Sequence, residues 1–343
     1  MFSFNQLLPS GSKKPLDILA VHLGHAGTYC ARLRKAGDAI VLAAADLLPP
    51  VAFQAGENAP ATLSLPKPLL ARYVALCVPG DDAVVKLLNL PGQLGDEPSE
   101  QIRESMGLGA AEFRIGYRVL QAGRHGRSET KVLTVAVPET QARAACALFR
   151  GGVPAPISVE VDGLAALTNF SLSASGKYAD EAVACIVSDA KVSFAAFFLK
   201  GELLLIRKFD FGQFNLLSAL HKNLGVDQTT ARDILVNGSF DVSQMVKSAM
   251  EPFVKQLVIS KHFIERRDNC HVARMFVAPE DWMARGWMAE VKSGVGVEIE
   301  SWNPLEAVQV QEGALSKSLE PRSARLSAAI GAGLGLFAED PQK

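Results

Sequence analysis

The sequence has almost no net charge: 35 lysines and arginines stand against 36 aspartates and glutamates. That balance removes any bulk attraction to nucleic acid or anionic lipid and leaves only local basic patches to consider. No apolar run approaches the ~20 residues that cross a bilayer, which excludes an ordinary membrane span. The opening "MFSFNQLLPSGSKKP" lacks the basic start and long apolar region of a secretory signal. Cysteine is sparse and unpatterned, since Cys30, Cys77, Cys146, Cys185 and Cys270 show no CxxC spacing. Most sit in apolar runs such as "YVALCVPG" and "AVACIVSD", so buried thiols in a reducing compartment are expected. These absences lead to the expectation of a cytoplasmic protein.

What is present is a large apolar content. The 343 residues are 48% hydrophobic and 21% charged, enough for a sizeable core in two domains or one bilobed one. "LDILAVHLG" reads as a strand, and "TYCARLRKAGDAIVLAAADLL" as two more hinged at Lys35-Ala36-Gly37-Asp38. Far downstream, "EAVACIVSDAKVSFAAFFLKGELLLIRKFDFG" repeats the plan with its own lysine-glycine hairpin. No helix separates the first two strands of either copy, so both are antiparallel meanders, unlike a Rossmann βαβ opening. The duplication predicts two related lobes facing each other across a cleft.

Between the copies, "RYVALCVPG", "AVVKLLNLPG", "EFRIGYRVLQAG" and "TKVLTVAVPE" read as strands, with helices in "EPSEQIRESMGL" and "TQARAACALFRGGV". This β-β-α-β-β-α order over residues 72–152 predicts a small α+β insertion. "FGQFNLLSALHKNLGVDQTTARDILVNGSF" predicts two helices, the first stopped by Gly225, the second capped by Asp227 and ended by Asn237-Gly238. "DVSQMVKSAMEPFVKQLVISKHFIERR" predicts one long amphipathic helix. A strand "ARMFVAP", a helix "EDWMARGWMAEVKSG", a strand "VEIESW" and a small-residue helix "RSARLSAAIGAGLGLF" are expected to follow.

Some stretches invite chemistry that their surroundings do not support. "AAIGAGLGL" spaces its glycines suggestively, but a helix precedes them where a dinucleotide loop needs a strand, so close helix packing is expected. The helix pair around Leu216–Val236 has a helix-turn-helix outline, yet its second helix carries a single arginine. His22 and His25, with Asp189, offer metal-ligand chemistry, while a strand-end histidine more often serves structure. Trp282, Trp287 and Met288 are expected in the core.

The order of these elements, and the stretches "LPG", "YRVLQAG", "LTVAVPETQARAACALFRGGVPAPISVEVDGLAALTNF", "FGQFNLLSALHKNLGVDQTTARDIL" and "ESWNPLEAV", resemble the PilM family of type IV pilus assembly proteins. That family belongs to the actin-like ATPase superfamily, and the resemblance covers about residues 16–338. It implies an α/β, FtsA-like two-lobed fold with a duplicated β-meander core and a small insertion. The implied boundaries are a first lobe over 1–71, the insertion over 72–152, returns to the first lobe over 153–182 and 322–343, and a second lobe over 183–321.

Measured against the family, the nucleotide loops depart. "AVHLGHAGTY" is an apolar strand running into a glycine-rich turn, where the family pattern resembles D-I-G-S-S-x-x-K. Phosphate needs donors and the metal needs oxygens. Here His22 replaces the acid, Gly24 keeps its place, and Tyr29 stands at the lysine position. The second loop, D-I-G-A in the family, is Val187-Ser188-Asp189-Ala190. The adenosine-side glycine pair is Ala278-Pro279-Glu280, and proline supplies no N–H. The resemblance therefore implies a degenerate nucleotide cleft formed by Gly24, His25, Gly27, Thr28, Ser188 and Asp189, with no catalytic residue, no resident metal, and ATP or ADP with magnesium not expected as a cofactor.

The implied role is a cytoplasmic scaffold that binds the N-terminal peptide of a PilN-like inner-membrane protein in a groove beside the insertion. Contacts with pilus motor ATPases and self-association are further implications, and membrane association would be only through a partner. Alternatives are an active actin-like ATPase using Asp189, an FtsA-like filament protein, and a GspL-like secretion component. The ending "LFAEDPQK" lacks the basic amphipathic helix of the second and the membrane span of the third. The leader Phe4-Asn5-Gln6-Leu7-Leu8-Pro9 is itself similar to the partner's "INLLP", which suggests a mimic occupying the groove.

Overall fold

A computed structural model describes residues 15–51, 62–92, 94, 98–109, 112–122, 129–178, 180–238, 240–283 and 286–338. The leader Phe4–Pro9 and residues 339–343 lie outside the described residues. The chain divides into two compact units, Met1–Leu172 with Leu305–Lys343, and Ser173–Pro304.

The first unit opens with the expected meander, β1 (Asp17–Gly24), β2 (Gly27–Ala36) and β3 (Ala39–Leu48). β4 (Tyr73–Val78) follows and pairs parallel to β1. Next come β5 (Val84–Pro91), α1 (Pro98–Met106), β6 (Phe113–Gln121), β7 (Glu129–Pro138) and α2 (Glu139–Ala147). β8 (Ala155–Val161) and α3 (Asp162–Ser173) return the chain to the main sheet. The insertion's own sheet has three strands in the order β5-β7-β6. β4, expected as its first strand, hydrogen-bonds between β1 and β8, so the inserted sheet starts at Val84.

The second unit repeats the meander as β9 (Ala182–Ser188), β10 (Ser193–Leu199) and β11 (Glu202–Phe209). It continues with α4 (Gln213–Leu224), α5 (Gln228–Asn237), α6 (Ser243–Asp268), β12 (Val272–Val277), α7 (Trp287–Val295) and β13 (Glu298–Ser301), in a five-stranded sheet ordered β11-β10-β9-β12-β13. The expected caps are present: Asp227 accepts from the Thr230 N–H at 2.9 Å, and Gly225 and Gly238 end their helices in the left-handed conformation. One expected helix is broken. "EDWMARGWMAEVKSG" gives a 3-10 turn at Asp281–Met283 and then α7, because Gly286 has φ +78° and stops one helix from running through.

The chain then re-enters the first unit through β14 (Gln309–Val310) beside β3, a 3-10 stretch at Glu320–Leu326, and α8 (Ser327–Phe337). The six-stranded sheet is ordered β14-β3-β2-β1-β4-β8. β1, β4 and β9 are almost continuously buried, as strands inside a covered sheet must be. α8 packs on β1, β2 and β4, and all its residues from Ala328 to Phe337 are buried, which a stripe of alanine and glycine permits. In the second unit, α4, α6 and α7 bury Leu216, Phe253, Leu257, Trp287 and Val291 against Ile186, Phe197 and Met275. Burying side chains of this size is worth about 1.5–3 kcal/mol each, enough to hold the helices on the sheet. Among the described residues, no helix is long and apolar enough to cross a membrane.

Candidate functional site

In the first unit, the candidate site is the end of β1 where the chain turns into β2. Gly24 pairs with Gly27, leaving His25 and Ala26 as a tight turn. A Cβ on Gly27 would approach Leu47 Cδ1 to 2.6 Å, so the turn is held flat against β3. The Thr28 hydroxyl is fully buried and donates to the Pro49 carbonyl oxygen at 2.9 Å. It thus satisfies the neighbouring backbone.

His22 points into protein. It is 8% exposed, its Nε2 lies 3.6 Å from Asp162 Oδ2, and its ring stacks on Tyr29 with centroids 5.7 Å apart. The Tyr29 hydroxyl accepts from Arg325 Nη1 at 2.7 Å, which closes the row from the histidine to the segment before α8. His25 makes a separate pair, its Nε2 3.1 Å from Asp81 Oδ2.

Strand register adds a second acid. His22 on β1 stands opposite Cys77 on β4, and Cys77 opposite Glu160 on β8. Glu160 is 1% exposed and Asp162, two positions on at the head of α3, 4%. Burial, then Glu160 and Asp162, push the Cys77 thiol well above its ordinary range. The thiol donates to the Ala328 carbonyl oxygen at 3.4 Å, so it is a packed group and no nucleophile. Its contact with Ala328 places the start of α8 beside Cys77.

In the second unit, Ser188 ends β9 and Asp189 follows it. The Ser188 and Ser193 hydroxyls share a hydrogen bond of 2.5 Å, and Ser193 donates onward to the Phe211 carbonyl oxygen at 2.6 Å. Five backbone donors at this loop and the head of α4 are engaged. Asp189 N–H donates to Val192, Gln213 N–H to the Asp189 carbonyl, Phe214 N–H to the Ala190 carbonyl, and Asn215 N–H to Gly212. Gly212 N–H donates to Asn215 Oδ1 at 2.8 Å. The amino end of α4, where a phosphate would be held by such donors, is therefore closed by its own loop. At the third place, Ala278-Pro279-Glu280 leads into the 3-10 turn carrying Trp282, which is 2% exposed and meets Trp287 edge-on at 6.3 Å.

Gly24, His25, Gly27 and Thr28 thus gather in the first unit, and Ser188 and Asp189 in the second. Asp162, Glu160, Asp81 and Arg325 were not anticipated. The clue to the first two was "VEVDG", acids spaced inside an otherwise apolar strand end. Nothing local marks Asp81 or Arg325.

No protein-family model matches the chain, and no curated protein matches it in sequence. Solved structures do match. A chain of the PilM-PilN type IV pilus biogenesis complex aligns over 95% of this chain and all of its own length, with a TM-score of 0.75 at 17% identity. A Bacteroides thetaiotaomicron protein with an actin-like ATPase fold and unknown function aligns over 97% of this chain and all of its own, at TM-score 0.48 and 9% identity. The ethanolamine utilization protein EutJ from Carboxydothermus hydrogenoformans aligns over 96% of this chain and 92% of its own, at TM-score 0.43 and 15% identity. The first match shows that the chain has the fold of a chain of the PilM-PilN complex, the architecture that the sequence resemblance implied.

Proposed function

We propose that this protein is a PilM-like scaffold of a type IV pilus or related secretion machine, that it binds the N-terminal peptide of a PilN-like inner-membrane protein, and that it does not hydrolyse ATP. The observation that carries the reading is the full-length fold match to a chain of the PilM-PilN complex. On this reading the chain works at the cytoplasmic face of the inner membrane, held there by its partner.

The donor chemistry supports the absence of hydrolysis. Magnesium prefers oxygen ligands, and the first loop offers the His22 imidazole where the family has a carboxylate. Phosphate needs free N–H and hydroxyl donors, while Thr28 donates to Pro49 and the first-turn amides of α4 donate to their own loop. Thr28 and those amides are thus engaged elsewhere, and His22 does not supply the oxygen that the family's acid gives magnesium.

The test is calorimetry with magnesium ATP beside a phosphate-release assay, and titration with the N-terminal peptide of the PilN-like protein from the same genome. Peptide binding without phosphate release supports the proposal. Sustained release that is abolished by Asp189→Ala replaces it with an active ATPase, and failure to bind the peptide removes the scaffold reading.

A further inference from the structure

In the first unit the candidate site occupies one end of the six-stranded sheet. β1, β4 and β8 run parallel, so their first residues stand together at the other end, where β2 also finishes. There the Lys35 N–H donates to the Leu16 carbonyl oxygen at 2.8 Å, and the Ala155 N–H to the Arg72 carbonyl oxygen at 2.9 Å. Four neighbouring strands thus bring Lys35, Leu16, Arg72 and the segment before β8 into one row, about 15 Å across at the usual strand spacing. The 3-10 turn Lys67–Leu69 joins the row. It packs on β2 and β3, and Arg32 Nη1 donates to the Pro68 carbonyl oxygen at 3.2 Å.

This end leaves large aliphatic side chains outside. Leu16 is 63% exposed, Leu70 46% and Val153 70%, each on a different segment. Around them, residues 16–17, 34–39, 66–73 and 150–155 carry five basic side chains, Arg34, Lys35, Lys67, Arg72 and Arg150. The acids of the same segments are Asp17 and Asp38. Asp17 is already held by Arg32 and Arg34, at 2.6 and 3.3 Å. In a chain whose charges balance, this surplus is a local positive field that the composition conceals.

The combination selects its occupant. A protein partner buries a contiguous apolar centre depleted of charge, whereas here each aliphatic side chain stands apart among cations. Nucleic acid asks for stacking or base-edge contacts. The aromatic ring of these segments, Tyr73, lies under its own neighbour Arg72, 5.2 Å from the guanidinium. Anionic headgroups over hydrocarbon ask for what is present, cations at the surface and aliphatic side chains that reach past them. We propose that this end of the first unit lies directly on an anionic lipid surface. Leu16, Leu70 and Val153 enter the headgroup region, and Lys67, Arg72 and Arg150 meet the phosphates. The contact adds to any hold through a membrane partner, and it turns the end of the sheet that carries His22 and Gly24 away from the bilayer.

The test is sedimentation of the purified full chain with phosphatidylcholine vesicles, with and without about 30% phosphatidylglycerol, at about 0.1 M salt and again at about 1 M. Binding is expected only with the anionic lipid at the lower salt. Lys67→Ala with Arg72→Ala should weaken it about 25-fold, at about five-fold for each cation near a charged surface. Leu70→Ser with Val153→Ser leaves the charge alone and should weaken it about ten-fold. Lys222→Ala with Lys247→Ala removes the same charge from the second unit and should change nothing. All six positions are exposed, so the variants should fold, and Arg150→Ala repeats the charge test if the first pair does not. No binding to the anionic vesicles overturns the proposal. So does equal weakening in the second-unit variant, which marks net charge alone, or full binding by the serine variant, which marks a general polyanion patch open to nucleic acid or acidic protein. The vesicles hold no protein, so each of these outcomes leaves the scaffold reading standing.

Discussion

Gly331 of α8 lies so close to α3 that a Cβ on it would stand 1.7 Å from the Ala165 carbonyl oxygen. Alanine is worth about 1 kcal/mol more than glycine in a helix interior. Here the clash is with backbone, which cannot swing aside, and overpacking of that kind costs about 3 kcal/mol. Gly331→Ala should therefore destabilise the protein by about 2 kcal/mol, the overpacking cost less the propensity gain, read as a lower midpoint in urea. A raised midpoint would mean that the helices part freely.

Gly212 meets the same limit in the second unit, where a Cβ would approach the Asp189 carbonyl oxygen to 2.4 Å. Gly212→Ala should push the Ser188–Ala190 loop off the amino end of α4 and cost about 1–3 kcal/mol. It should also free the Gln213 and Phe214 amides, visible as loss of their exchange protection. If nucleotide binding appears only in this variant, the closed loop is what excludes phosphate.

Acid should loosen the tie between β6 and α2. Hydrogen bonds from Arg114 and then Arg143 hold the Glu139 carboxyl below its ordinary pKa of 4.5. A carboxyl with a lowered folded pKa contributes stability that is present above its unfolded pKa and is lost as pH falls through the folded value. Exchange in β6 and α2 should therefore rise as pH is lowered below the ordinary value of 4.5, after correction for intrinsic rates. Glu139→Gln should raise exchange at neutral pH and flatten that dependence. A wild-type profile equal to the variant's would show that the pair adds nothing.

The thiols should divide by burial. Cys30, Cys77 and Cys185 are buried, and burial and then Asp46 push Cys30 up to about 12. Iodoacetamide at neutral pH should label Cys146 and Cys270 slowly and leave those three unmodified until the protein is unfolded, as mass spectrometry of tryptic peptides will show. Native labelling of Cys77 would mean that α8 lifts from β4.

Periodicity and turn residues carried much of the architecture. The two meanders, the long helix α6 and the stops at Gly225 and Gly238 all follow from local pattern, because one residue or one short window determines each. What local pattern does not hold is partnership. β4 reads as a strand equally well in either sheet, and only pairing with β1 and β8 assigns it. β14 spans just Gln309 and Val310, too short for any alternation. The break before α7 depends on the conformation of Gly286, a residue that helices often tolerate. At the candidate site, His22 and Gly24 stood out by comparison with a pattern. Their actual neighbours, Asp162 and Arg325, come from α3 and from the segment before α8, and tertiary packing alone unites them.

One consequence lies in the order of synthesis. α8, which covers β1 and β4, is made only after the whole of Ser173–Pro304. On the ribosome the second unit can emerge entire while the first still lacks its lid, with Leu33 and Ala20, the neighbours of Gly333, left wet. β1 thus waits for α8, and the nascent chain carries an open apolar face until that helix is made. A chain stalled before Ser327 should bind a chaperone or a hydrophobic dye that the released protein ignores; equal binding by both would show that the early strands find cover on their own.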